Sequence, residues 1–289
     1  MILDQIRVMA SIEVATPTES PRFAIHPAWV RITHWINALV LLVLLMSGLQ
    51  IFNAHPALYW GNFSDFDAPI LSMSAAETMQ GEDVGITTIF GHPFMTTGVL
   101  GLSRDDQGNP RERGFPAWAT LPSFQALALG RRWHFFFAWI FVVNGVLYVA
   151  AAILARHFWR DLVPSRGQLR HIGRTILDHL RLRFPRGEEA RRYNVLQKLS
   201  YLFVPFVLGP LIVLAGLAMS PRIDAGFPWL PVVFGGRQSA RTIHFLCAFA
   251  FLAFVIVHIV MVLLSGVWNN LRSMITGWYD LGRAAGGDD

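Results

Sequence analysis

The sequence predicts an all-α integral membrane protein, an up-and-down bundle of four spanning helices with one long loop outside the membrane. Three observations lead there. Of 289 residues, 53% are hydrophobic and only 15% charged, with a mean hydropathy of +0.42, whereas soluble domains carry about a quarter charged residues. Charge is nearly absent from four stretches, 32–52, 133–154, 199–219 and 243–268, each at least 20 residues long. About 20 helical residues at 1.5 Å rise cross a hydrocarbon core of roughly 30 Å. Finally, the segments between them differ in charge: 155–198 has eleven Arg or Lys against four Asp or Glu, and 53–132 has five against eight. The positive-inside rule then makes 155–198 cytoplasmic and 53–132 external, with both termini cytoplasmic. The whole chain, 1–289, reads as a single domain.

In chain order, the N-terminal tail mixes Asp4, Arg7, Glu13 and Glu19 with small residues and lacks the apolar core of a cleaved signal peptide, so the first span is expected to do the targeting. The external segment, 80 residues long, is the unusual feature, since loops of this length are usually functional. Pro56, Gly61, Asp65, Asp67 and Pro69 make its start turn-rich. Residues 90–102 are apolar and glycine-rich but too short to span, and read as a packed or interfacial piece. Residues 117–129 place Trp118, Leu121, Phe124, Leu127 and Ala128 at helical spacing, which predicts a short helix on the outer surface. The third span carries central Pro205 and Pro210. The cytoplasmic loop predicts a helix over 168–182, and 269–279 ends in Trp278 and Tyr279, residues typical of the interface.

Cysteine and charge exclude several functions. Cys247 is the single cysteine, so this chain alone builds no disulfide, thiolate zinc site or iron–sulfur cluster. The pI near 10.0 reflects topology and contact with anionic lipid. No basic stretch is interleaved with aromatics as a nucleic-acid partner requires.

Four of the ten histidines fall within the spans, where ionisable residues are rare and usually functional. With the spans oriented as above, His34 lies at the cytoplasmic depth and His134 at the outer one. His244 and His258 are 14 residues apart on one helix, hence within about 40° of each other in phase and roughly 21 Å apart along the axis. Two depths result, His134 with His244 outside and His34 with His258 inside. Paired imidazoles from facing helices are what bis-histidine haem ligation needs. With no Cys-x-x-Cys-His in the chain, two such haems would be non-covalent, b-type.

Arg31, Arg131 and Arg241 each precede a candidate ligand by three residues, so they share its helix face and could meet haem propionates. Gly48, 14 residues after His34, and Gly145, 11 after His134, fall on the histidine face at the depth of the other haem, where a flat macrocycle needs a helix without side chain. Aromatics flank the ligands, with Phe251 midway between the histidines of span four. The plainer readings are an interfacial histidine bonded to backbone, a glycine for close helix packing and a snorkelling arginine; four histidines at two matched depths favour haem. Of the others, His26, His55, His92, His171 and His179 sit in loops, and His157 at the end of span two reads as a membrane-surface residue before a quinone-site residue.

On RITHWINALVLLVLLMSGLQIF, GRRWHFFFAWIFVVNGVLYVAA, YNVLQKLSYLFV…PLIVLAGLAMSP and RTIHFLCAFAFLAFVIVHIVMV, the chain resembles the bacterial cytochrome b561 and nickel–iron hydrogenase cytochrome b superfamily, within it most the thiosulfate reductase cytochrome b subunits. The resemblance covers all four spans and most of the cytoplasmic loop. It implies a di-haem b-type cytochrome in the bacterial inner membrane, a respiratory electron-transfer subunit between the quinone pool and a periplasmic oxidoreductase, often a molybdopterin enzyme. Catalysis would then belong to the partner, docked on the long outer loop. Two other readings stand beside it: a stand-alone quinone-linked enzyme such as a superoxide oxidase, which the outer loop argues against, and a haem-free transporter or channel, for which the chain lacks an inverted repeat.

Overall fold

The computed structural model describes residues 22–24, 26–105, 107–154 and 195–280, together with residues 167 and 173. Four helical stretches are long and apolar enough to cross a membrane: Ala28–Phe52 (α1), Leu127–Leu154 (α2), Lys198–Ala218 and Arg237–Leu264. Less than a quarter of each is buried within the protein. Large apolar side chains such as Leu39, Phe136, Trp139, Leu147, Ile256 and Val260 point outward instead, as lipid-facing side chains do, since hydrocarbon replaces water as their surroundings.

The third stretch is not one regular helix. It consists of α3 (Val195–Phe203), a π-helical turn Val204–Leu208 and α4 (Gly209–Ala218). Pro205 and Pro210 lack the N–H that the regular ladder needs, and the wider turn absorbs the mismatch. Two short helices, α5 (Pro221–Gly226) and α6 (Trp229–Val233), lead into α7 (Arg237–Leu264). The fourth predicted span ran on to Trp268, but α7 ends at Leu264. Gly266 turns left-handed at φ +106 and starts a separate helix, α8 (Val267–Thr276). Strands β1 (Arg22–Ala24) and β8 (Trp278–Asp280) pair antiparallel, so the first and last described segments share one end of the bundle.

The expectation of an all-α chain is corrected at the other end. Residues between α1 and α2 form a four-stranded antiparallel sheet, β2 (Ala57–Leu58), β3 (Leu71–Glu77), β4 (Asp83–Ile89) and β5 (His92–Met95), and a hairpin of β6 (Gly101–Arg104) with β7 (Pro110–Arg113). Thr87, Thr88 and the isoleucines beside them suit a pleated surface. Phe90 and Gly91, both at positive φ, make the tight β4–β5 turn. β6 lies close over the sheet because of Gly85 and Gly101: a Cβ on Gly85 would come 2.4 Å from the Leu100 carbonyl oxygen, and one on Gly101 2.5 Å from that of Ser74.

Two smaller expectations change with it. The apolar piece 90–102 is the β4–β5 turn, β5 and the start of β6, not an interfacial segment. In 117–129 only a single 3₁₀ turn, Ala117–Ala119, forms before α2 begins at Leu127; α2 takes up the last three residues of that expected surface helix. The expected helix over 168–182 lies outside the described residues except at residue 173, and His157, His171 and His179 lie outside them as well.

The sheet is fastened to the bundle. Phe52, Leu58, Met73 and Phe115 form a buried cluster against Phe245 and Phe249 of α7. Arg113 is wholly buried, donating from Nε to the Phe115 carbonyl (2.7 Å) and from a terminal nitrogen to Thr120 Oγ1 and the Ser123 carbonyl (both 3.0 Å). The Gly61 carbonyl accepts from the backbone N–H groups of Gln238 (2.9 Å) and Ser239 (3.2 Å), satisfying donors that the start of α7 leaves open. A Cβ on Gly236 would stand 2.4 Å from Gly61 backbone atoms, which reserves that position for glycine.

Candidate functional site

α7 carries two of the candidate histidines and meets a partner helix at each. Toward the sheet end, the rings of His134 (α2) and His244 (α7) face each other with centroids 6.1 Å apart and planes at 66°. Toward the opposite end, His34 (α1) and His258 (α7) stand 6.1 Å apart with planes at 57°. A ring nitrogen lies about 1.1 Å from its centroid and a metal–imidazole bond is about 2 Å, so two imidazoles in line on one metal stand about 6.2 Å apart. Both pairs have that separation.

The surroundings of the sheet-side pair are small. A Cβ on Gly48 would lie 3.3 Å from His134 Cε1, and one on Gly216 would lie 3.1 Å from His244 Cε1 and 3.2 Å from its Nδ1. Ser47 Oγ lies 3.1 Å from His134 Nδ1, and the Ile212 carbonyl 2.8 Å from His244 Nδ1. Sequence reasoning placed Gly48 at this depth but missed Ser47, Ile212 and Gly216. Span three has no histidine, so nothing drew attention to its glycine; the small residues Ala215, Gly216 and Ala218 near its end were the available signal.

At the other pair, Gly145 has no heavy atom within 4 Å of the place a Cβ would take. Its neighbour Asn144 is buried and donates to the Thr33 carbonyl (2.9 Å) and to Asn37 Oδ1 (2.8 Å), pinning α2 to the residues flanking His34. Phe254 stacks on His258 with centroids 5.9 Å apart. Between the pairs, Leu208, Cys247 and Phe251 pack with Leu41 and Phe141 as an apolar layer, so Phe251 occupies the midway position read from the sequence.

The three arginines are each engaged by the protein. Arg31 donates to the Ile275 carbonyl on α8. Arg241 donates to the His55 carbonyl at 2.5 Å and rides over the Phe52 ring. Arg131 sits 5.6 Å over the Phe135 ring. His55 stacks on Tyr59, its Nε2 3.1 Å from the phenol oxygen. Burial, and secondarily the Arg241 charge, hold the His55 imidazole below its ordinary pKa.

Two imidazoles are half of a tetrahedral zinc set, and among the described residues no group of three or more His, Cys, Asp or Glu gathers. A metal in either gap would need further ligands beyond the described residues, and a porphyrin brings four. The paired spacing, the glycine-backed imidazoles and the open space at Gly145 fit that group.

Comparison with known protein families matches residues 25–277 to the one described as prokaryotic cytochrome b561. Among curated proteins, the chain is 29% identical over 256 residues to the "Putative protein-methionine-sulfoxide reductase subunit YedZ1" of Azospira oryzae, covering 88% of this chain and 97% of that one. No solved structure matches it.

Proposed function

The chain belongs to the prokaryotic cytochrome b561 family, which makes it a membrane b-type cytochrome of electron transfer, and we propose that it carries two b-type haems between the quinone pool and an oxidoreductase on the outer face. His134 and His244 hold the outer haem, His34 and His258 the inner. The observation that carries this reading is the repeated 6.1 Å separation of two histidine pairs from different helices. The sheet end is the external face, both termini are cytoplasmic, and Arg31, Arg131 and Arg241 reach propionates when the haems are bound.

Haem supplies one-electron chemistry at its iron, tuned by axial ligand and burial. The chain's own residues do the rest. Gly48 and Gly216 let the outer imidazoles approach neighbouring helices, Asn144 holds α1 and α2 together beside His34, and the Phe141–Phe251 layer keeps the space between the pairs apolar. The sheet is the docking surface for the partner. The relative's name as a reductase subunit supports a reductase as that partner; a molybdopterin enzyme, as in the thiosulfate reductase group, is the chemical class.

The test is direct. Purified chain should give a reduced b-type spectrum with two haems per chain and be reduced by a quinol analogue. One haem per chain, or none, overturns the reading.

A further inference from the structure

The two histidine pairs are held differently. Ser47 is fully buried (0% exposed). Its Oγ lies 2.6 Å from the Val43 carbonyl oxygen and 3.1 Å from His134 Nδ1. A carbonyl only accepts, so the serine's one proton goes to Val43 and Oγ accepts from His134 Nδ1–H. The Ile212 carbonyl likewise only accepts, so His244 Nδ1 carries a proton as well. Both sheet-side imidazoles are therefore fixed as Nδ1–H tautomers, with Nε2 as the ligating nitrogen. At the other pair, His34 Nδ1 is buried and has no hydrogen-bond partner among the described residues.

We propose that the Ser47 and Ile212 acceptors set the redox order of the two haems: the sheet-side haem is the lower in potential, so a single electron on the protein rests at the His34–His258 haem. The inference rests on the ligand assignment above. An acceptor on Nδ1–H draws that proton outward and makes Nε2 a more basic ligand. A more electron-rich ligand favours ferric over ferrous iron, which lowers the potential. Electron exchange between the haems then oxidises the sheet-side iron and reduces the other by one electron, and both Nδ1 protons stay in place.

Nearby charge does not reverse this order. Arg31 and Arg241 occupy equivalent places three residues before a ligand, one at each end, so their effects on the two haems offset. Arg131 adds a charge at the sheet end, but its side chain is exposed and the propionate it would meet offsets that charge. Gly216 belongs to the device, because a methyl there would stand 3.2 Å from His244 Nδ1 and push the ring off Ile212.

The experiment is a spectroelectrochemical titration of the intact protein in detergent, with haem content measured in parallel. Wild type should show two one-electron waves. Ser47→Ala and, independently, Gly216→Ala should move only the lower wave upward, and Ser47→Thr, which keeps the hydroxyl, should leave it near its original place. His34→Ala, retaining only the sheet-side haem, should keep the lower wave. The inference is overturned if both haems are bound yet the alanine variants leave the lower wave unmoved or shift the upper one, or if His34→Ala keeps the upper wave. Wild type with fewer than two haems overturns the ligand assignment itself, and the inference with it.

Discussion

His134 on α2 and His244 on α7 stand 6.1 Å apart, and His34 with His258 repeats that distance at the other end of the bundle. Each pair spans two helices, so removing either member should empty one site and spare the other. His258→Ala and His34→Ala should each lose about half of the haem absorbance, and the remaining haem should be the same one in both. His134→Ala and His244→Ala should leave the complementary haem. Retention of both haems in His258→Ala sinks the pairing.

The glycines divide by what they face. Gly216→Leu and Gly48→Leu push side chains into the His244 and His134 rings, so each should lose the sheet-side haem. Gly145 faces open space. Gly145→Trp should leave the helices folded, by circular dichroism, yet lose the inner haem whose plane it would fill. A Gly145→Trp protein with two haems rejects the idea that this space belongs to the macrocycle.

Asn144 is the buried polar tie between α1 and α2. Hydrogen bonds between membrane helices average about 0.6 kcal/mol and reach about 1.7, so Asn144→Leu, which loses two donations, should cost about 1–2 kcal/mol. Thermal unfolding in detergent should show a lowered midpoint, with the inner haem released before the outer.

Arg113 holds the sheet segment down. Its loss removes donations to the Phe115 carbonyl, which keeps Asn53 Nδ2 (3.1 Å), to Thr120 Oγ1 and to the Ser123 carbonyl, and hydrogen bonds from a charged donor contribute about 1.5–3 kcal/mol. Arg113→Met should therefore expose residues 53–126 to limited proteolysis while both haem spectra persist. Loss of the haems along with the segment would tie sheet and bundle into one cooperative unit.

His55 makes the attachment of the sheet end pH-sensitive. Its folded pKa is depressed below the ordinary 6.5, chiefly by burial and secondarily by Arg241. The unfolded state binds the proton more readily, so stability is fully present above about pH 6.5 and falls as pH drops through the folded pKa. Proteolysis of the segment should quicken on acidification in wild type, and the pH dependence should shrink in His55→Gln. An unchanged acid response in that variant assigns it to other groups.

The amino-acid sequence by itself determined the membrane architecture and the depth of each histidine. Bilayer thickness prescribes the length of an apolar run, and a helix converts residue spacing into distance, so His244 and His258 were legible as two levels on one face. Loop charge carried the expectation of which end of the bundle faces outward. The tertiary structure decided what depends on facing partners. The sheet pairs strands such as β2 and β3 through contacts no local window contains, and its Thr, Gly and Ala residues read equally well as turns. Ser47, Ile212 and Gly216 gain their meaning only when α1 and α4 are set against α2 and α7. A small residue announces nothing until a neighbouring ring fills the space it leaves.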